Sequence, residues 1–243
     1  MAVSVDTVYQ RVLAIANKEQ RGYITPQEFN LLANKAQLEI FEQYFYDIEQ
    51  YGRRHGNSTE YSDHIDILAE KISPFEKWKV GMSAVSGNDC TLPTSTTVHK
   101  LGTVFFNKSG TTYDVEVERV EKNDLHYMER TALIQPTEDR PVYVRKTNSI
   151  IKLFPASPTG GYSISNVTCN YIAKPTDVSW GYNVVLGKAM YNASTSTDFE
   201  LQASEETTLV NKILFLSGLI VEKPGLAGVA GTMVNEEKQQ EKI

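Results

Sequence analysis

The chain has 243 residues and a mass of 27.3 kDa, which is long enough for one large domain or two modest ones. Apolar residues make up 41% and charged residues 22%, and this composition excludes a fully disordered or collagen-like chain. The formal net charge is −6, with −3, +1 and −4 on residues 1–80, 81–175 and 176–243. A dedicated nucleic-acid binder needs clustered Lys and Arg, so the absence of a strongly basic segment argues against that class.

The N-terminus, the apolar stretches and the cysteines predict no signal peptide, membrane span or disulfide framework. The N-terminus holds Asp6 within a polar mixture and does not predict a signal peptide. The longest apolar stretch, residues 213–221, is shorter than the roughly 18 residues of a membrane span. Cys90 and Cys169 are far apart and lack ligand spacing. We therefore expect two buried free thiols in strands, and neither a disulfide framework nor a zinc site.

Residues 1–80 are predicted to be helical. A first helix is capped by Ser4 or Asp6 and stops near Gly22. A third helix runs from about Thr59 to Ile72 and ends at Pro74. The apolar stripe of the first helix consists of Val5, Val8, Tyr9, Val12 and Ala16.

The second helix has the strongest start signal in the chain. Thr25 is a good N-cap, Pro26 suits the first helical position, and Glu28 completes a capping box. An apolar face then continues for about six turns. Its residues are Phe29, Leu32, Ala33, Ala36, Ile40, Tyr44 and Ile48.

Residues 81–175 are predicted to form an antiparallel β domain, because strand-like runs are separated by short turns. A short helix at residues 121–130 interrupts the strands. The predicted strands are residues 100–107, 112–120, 142–146, 149–154 and 162–173.

Residues 176–223 return to the helical core, and residues 224–243 form a C-terminal arm. Residues 184–191 fit either a short helix or an extended arm. Ser204 is the predicted cap of an apolar helix that stops at Gly218. We expect an α+β fold with an N-terminal helical bundle or hairpin, an antiparallel β-rich middle domain, and a C-terminal helix with an extended arm. The first and last helical regions are expected to share one domain.

A search for catalytic, metal and cofactor motifs yields no candidate residues. The four histidines form no metal-ligand pair, and no nucleophile elbow, Walker loop or dinucleotide fingerprint is present. The segment from Asp63 to Asp66 places a histidine between carboxylates, but these side chains diverge on a helix. Glu116 and Glu118 share the solvent face of a strand. We expect no enzyme and no cofactor.

Two basic clusters and the arm are the candidate partner contacts. Arg53 with Arg54, and Arg145 with Lys146, are either solvated loop and turn charges or contacts for an acidic surface. The arm has too few apolar residues for a core of its own. It carries Leu226, Val229 and Met233 at helical spacing, and these side chains would be buried only against a partner.

The order of the motifs resembles that of a known family. The helical start Gly22-Tyr-Ile-Thr-Pro-Gln-Glu-Phe-Asn-Leu-Leu-Ala-Asn34 precedes the β-rich middle. Tyr171-Ile-Ala-Lys-Pro and Val178-Ser-Trp-Gly-Tyr182 follow, and then Ser196-Thr-Asp-Phe-Glu-Leu-Gln-Ala-Ser-Glu-Glu206 leads into an apolar helix. The whole resembles neck and ring proteins of short-tailed bacteriophages, especially crAss-like phages. These proteins are head-to-tail adaptors beneath the portal.

The resemblance implies a virion protein that forms a ring, in twelve copies matching a twelve-fold portal. Its partners would be itself, the portal and adjacent tail or ring proteins, with DNA passing through the channel without specific binding and no membrane involved. The family implies a β-domain facing the next tail component and a C-terminal arm reaching a neighbour. Two other functions remain open: a virion-associated glycan hydrolase, and a surface β-module with a binding function.

Overall fold

The computed structural model describes residues 2–18, 24–52, 59–86, 88–107, 114–137, 139–155, 167–220 and 232. Two units divide the chain: unit 1 joins Met1–Pro74 to Pro175–Ile243, and unit 2 is Phe75–Lys174. The predicted α+β class is confirmed, with a β-rich middle and a C-terminal helix. No helix within the described ranges is both long and apolar enough to cross a membrane.

Unit 1 is built from four helices among its described residues, with α2 packed on α3 and α5 and α1 packed on α5. Their bounds are α1 Val5–Lys18, α2 Pro26–Gly52, α3 Thr59–Ile72 and α5 Glu206–Ile220. The predicted stripe of α1 is entirely buried, and so is the predicted face of α2 up to Tyr44. The short strands β1 (Ala2–Val3) and β12 (Phe199–Gln202) pair antiparallel and join the two ends of this unit.

Helices α1 and α2 begin at predicted caps, and the capping box of α2 is made by residues within a single turn. The Thr25 backbone N–H donates to Glu28 Oε2 at 2.9 Å, and the Glu28 N–H donates to Thr25 Oγ1 at 3.3 Å, which confirms the capping box. The Ser4 carbonyl accepts the Val8 N–H at 3.2 Å, so Ser4 rather than Asp6 precedes α1. The first N–H of α1, on Val5, is satisfied by a residue 193 positions away, Asp198.

Both predicted ends of the C-terminal helix are wrong. Ser204 is not the cap, because a 3-10 turn, Ala203–Glu205, precedes the helix. The turn buries Glu205, whose carboxylate lies 2.8 Å from Lys71 Nζ on α3, and this ion pair compensates a carboxylate that is otherwise costly to bury. Gly218 does not stop the helix, which continues to Ile220.

Unit 2 is an eight-stranded sheet in the order β2-β9-β5-β6-β7-β8-β4-β3. The two strands at the ends of this order, β2 and β3, are separated in the chain only by Met82, so the sheet is nearly closed. All pairs are antiparallel except β6 with β7, which are joined through α4 (Lys122–Arg130). The strands are β2 Glu76–Gly81, β3 Ser83–Ser86, β4 Asp89–Thr91, β5 Val98–Asn107, β6 Asp114–Arg119, β7 Val142–Arg145, β8 Ile150–Phe154 and β9 Val167–Ala173.

The interior of the sheet is filled with side chains. Strand β9 shows the alternation most clearly, with every second residue from Val167 to Ala173 buried. Cys90 and Cys169 are buried free thiols, as predicted. Burial raises the pKa of Cys90 to about 12 and that of Cys169 to about 11, so both thiols are protonated at neutral pH.

Strands β2, β3 and β4 are not predicted by the sequence. Strand β2 begins at Glu76, inside the region assigned to helix. Five of its six residues are exposed, so the strand has no alternation of apolar and polar residues from which it could be predicted. Strands β3 and β4 have four and three residues, too few for a periodic pattern. The predicted strands at 112–120 and 162–173 begin outside the described residues, and their described parts are β6 and β9.

Candidate interaction surfaces

Helix α2 holds an extended segment of the C-terminal half, which we call the strap (residues 176–180), through side-chain amides. Gln37 Nε2 donates to the Thr176 carbonyl at 2.8 Å. Asn34 and Asn30 each bind both backbone groups of one strap residue. Asn34 Oδ1 accepts from the Val178 N–H at 2.6 Å, and its Nδ2 donates to the Val178 carbonyl at 3.0 Å.

The match between helix and strap is geometric. Asn30 and Asn34 are four residues apart, and their partners Trp180 and Val178 are two residues apart. Four helical residues rise about 6 Å and two strand residues about 6.6 Å, so the two spacings nearly coincide. The helix surface therefore acts like a neighbouring strand and fixes the strap in one register.

The strap ends at an aromatic anchor. Trp180 is 3% exposed, and its indole Nε1 donates to Asp6 Oδ1 at 2.9 Å. Its ring centroid lies 4.4 Å from that of Tyr9 and 5.8 Å from those of Tyr182 and Tyr191. Because Tyr182 and Tyr191 open and close the next hairpin, the anchor fixes the base of that hairpin to α1.

The hairpin consists of β10 (Tyr182–Val185) and β11 (Lys188–Tyr191), paired antiparallel. Residues 184–191 are therefore extended, and the short-helix alternative is wrong. Leu186 and Gly187 form the two-residue turn with φ of 50° and 75°, the signature of a type I′ turn. We call Tyr182–Tyr191 the tip hairpin.

The tip hairpin exposes apolar side chains. Leu186 is 99% exposed, and Lys188 is the only charged residue in the hairpin. The other exposed large apolar residues are Val184, Val185, Met190 and Tyr191. Two-stranded ribbons are marginal in water, and contiguous exposed apolar surface is typical of a contact with another molecule.

A second exposed apolar surface lies on unit 2. Helix α4 has no buried residue, and the turn that follows it carries Leu133 at 90% exposure. Tyr127 and Ile134 are also exposed. We call α4 with residues 131–134 the α4 surface. It carries three acidic and two basic side chains when Glu121 is included.

The predicted contact residues are only partly within the described chain. Arg145 donates from Nη2 to the Asn148 carbonyl at 2.9 Å, and Lys146 Nζ lies 2.7 Å from Asp89 Oδ2. Arg145 is half-buried and bonded to the β7–β8 turn, and the exposed Lys146 is paired with Asp89 of β4, so both charges have partners within unit 2, which favours the interpretation as turn charges. Outside the described residues lie Arg53, Arg54, Leu226, Val229 and Met233.

Chemical sites in the described residues are a separate question from contact surfaces. Within them, no group of three or more His, Cys, Asp or Glu side chains is placed to hold a metal ion. Glu116 and Glu118 are exposed on β6, as their spacing predicts. The side chains of Asp63 and His64 lie outside the described part.

No known protein family matches the chain, and no curated protein sequence matches it.

Proposed function

We propose that this protein is a structural, non-enzymatic subunit of a phage virion that forms a ring with copies of itself in the neck. The resemblance to neck and ring proteins of short-tailed phages supports this function. On this proposal twelve copies enclose a channel through which DNA passes without specific binding. The portal lies on one side of the ring, and adjacent tail or ring proteins lie on the other.

Leu186 is the observation that carries the proposal. Left-handed backbone costs a non-glycine residue about 1–2 kcal/mol, and Asn or Gly is preferred at this position of a type I′ turn. The described part of the chain buries almost none of the leucine, so nothing there compensates this cost. Burial of a leucine side chain against a partner contributes about 1.5–3 kcal/mol. Such a departure from local preference is expected where a residue serves function rather than stability.

The occupant that we assign to the tip hairpin is the α4 surface of a second copy. A cyclic ring closes through head-to-tail contacts, which require two different surfaces on each subunit. The tip hairpin and the α4 surface are both apolar and exposed. Lys188 is the one charge of the first surface, and on the second Asp124 and Glu129 are balanced by Lys122 and Arg130, so the contact between the two surfaces would be mainly apolar.

The Leu186→Asn variant separates assembly from folding. Asparagine is favoured in the left-handed turn, so the isolated variant should be at least as stable as the parent protein. We expect native mass spectrometry, with the protein alone and with purified portal, to give one closed oligomer for the parent and none for L186N. Leu31→Gln, at an exposed leucine of α2 outside both surfaces, is the matched control and should assemble.

Mixing two blocked variants tests the head-to-tail arrangement. L186N retains its α4 surface, and Leu133→Asp retains its tip hairpin. Neither variant should assemble alone, but the mixture should give a 1:1 heterodimer that does not grow. A parent protein that stays monomeric with and without portal contradicts the ring. A ring that L186N still forms contradicts only the assignment of the hairpin.

A further inference from the structure

A cleft of about 370 Å³ lies on the outer face of the sheet in unit 2, over strands β2, β9 and β5. Its base includes Asn170 and Ile172, two residues of β9 that point away from the filled interior. Trp78 contributes to the lining and is 74% exposed. This volume lies within the range of sites that bind small molecules.

The two strands that pair with β9, β2 and β5, each have a β-bulge opposite Asn170. On β2, the register passes from Lys77 opposite Tyr171 to Val80 opposite Cys169, which leaves two residues facing Asn170. On β5, it passes from Leu101 to Val104 across the same two partners. Bulges re-aim side chains and are over-represented beside functional sites. Two of them facing one residue open the outer face at this position.

The bulge on β2 has a strained residue, Lys79, which is held by a hydrogen bond to the Asn170 side chain. Lys79 has φ of 49°, and its backbone N–H donates to Asn170 Oδ1 at 2.9 Å. Its ammonium group lies 5.2 Å from the centroid of the Trp78 ring and pairs with Asp114. The pKa of Asp114 is lowered, mainly by its hydrogen bond from Lys79, and a second hydrogen bond from Asn107 contributes. The cation–π contact with Lys79, which Asp114 holds in place, favours one orientation of the exposed Trp78 ring.

The bulge on β5 contains a glycine at a point of close backbone contact. A Cβ atom on Gly102 would lie 3.1 Å from the Asn170 carbonyl oxygen, tighter than ordinary contact. Glycine therefore permits close approach of the two backbones. The neighbouring Thr103 hydroxyl lines the cleft and has no hydrogen-bond partner among the described residues.

Further polar groups around the cleft are also unengaged. Glu76, Lys77 and Lys100 line it without a side-chain hydrogen bond or ion pair to another described residue. The Asn170 amide uses its oxygen for Lys79, and its NH₂ group has no partner within the described ranges. The site thus combines one exposed indole with carboxylate, ammonium, hydroxyl and amide groups.

We propose that this cleft binds a saccharide, with the apolar face of one sugar ring stacked on Trp78 and its hydroxyl groups bound by Glu76, Lys100 and Asn170. Sugar rings present C–H groups on one face and hydroxyl groups at the edge, which matches an aromatic wall beside mixed donors and acceptors. Single-stranded nucleic acid fits less well. It stacks successive bases on several aromatic rings in a basic groove, whereas Trp78 is the single aromatic with an exposed ring here. This inference does not depend on ring assembly.

Intrinsic fluorescence tests the proposal, because Trp78 and the buried Trp180 are the two tryptophans of the chain. The full chain is titrated with defined oligosaccharides of N-acetylglucosamine, glucose, galactose, mannose and uronic acids, and with oligodeoxythymidine. We expect at least one saccharide to shift the emission to the blue in a saturable manner. The Trp78→Phe variant should give no such shift, because the remaining tryptophan, Trp180, is buried in unit 1.

Calorimetric titration of variants assigns the binding to the cleft. Trp78→Ala should weaken saccharide affinity by about tenfold or more, as loss of an aromatic platform implies. Tyr46→Ala, at an exposed aromatic of α2 outside the cleft and outside both proposed contact surfaces, is the control and should change affinity less than about twofold. No saturable binding by any saccharide, equal binding by W78A, or binding of oligodeoxythymidine alone would each overturn the proposal.

Discussion

The side-chain hydrogen bonds from Asn30, Asn34 and Gln37 to the strap form a set that we call the ladder. Replacement of Asn34 by alanine should destabilise unit 1 by removing the middle pair of these bonds. Val178, which is 1% exposed, loses the partners of both its N–H and its carbonyl. Each buried backbone group left unsatisfied costs about 1–3 kcal/mol. Alanine recovers roughly 0.6 kcal/mol through its better helix propensity. Partial access of water to Asn34 lowers the cost further, so we expect a net loss of about 1–4 kcal/mol.

Guanidinium unfolding in the W78F background isolates this effect, because Trp180 then reports on the strap alone. The neighbouring Lys35→Ala variant is the control. Its exposed ion pair with Glu39, at 4.0 Å, should be worth less than about 0.5 kcal/mol. The N34D variant keeps an acceptor for the Val178 N–H but loses the donor, and protonation of its carboxyl at low pH should restore part of the stability. If N34A unfolds within about 0.5 kcal/mol of the parent, the ladder does not hold the strap.

Three further outcomes follow from named contacts. Thr25→Ala removes the Thr25 hydroxyl, and with it the cap on the Glu28 N–H and half of the capping box, and should cost about 1 kcal/mol in thermal unfolding, without loss of the fold. Gly181→Ala places a Cβ atom 2.8 Å from a backbone carbonyl oxygen and should cost about 1–3 kcal/mol, whereas Gly81→Ala, with open space around it, should be nearly neutral. Cys90 and Cys169 should resist alkylation at pH 8 in the native protein, because their raised pKa values keep both thiols protonated until about pH 11, and both should react once the protein is unfolded.

Local signals in the sequence predict much of unit 1 correctly. The start of α2 follows from Thr25, Pro26 and Glu28, all within one turn, and the bounds of α3 agree with the predicted Thr59 and Ile72. The errors at α5 have a long-range cause. Glu205 belongs to a 3-10 turn because its carboxylate reaches Lys71, a partner 134 positions away that no local pattern identifies.

The candidate surfaces were harder to predict than the helices. The tip hairpin lacks the Asn-Gly signal of a two-residue turn, since Leu186 occupies the position that asparagine prefers. The α4 surface follows a correctly predicted helix, but periodicity does not show whether an apolar stripe finds a partner within the chain. Exposure in the folded structure supplies that information.

The positioning of the tip hairpin connects two of the motifs that carry the family resemblance. Asn30 and Asn34 lie in the motif that ends at residue 34, and Val178 and Trp180 lie in the motif of residues 178–182. These four residues meet in the ladder across separations of 144 and 150 positions. Neither asparagine caps a helix, because both lie inside α2, and packing against the core does not require an amide side chain. Both asparagines are explained by the need to fix the strap, and through Trp180 to fix the base of the hairpin, so that Leu186 is presented from a rigid support.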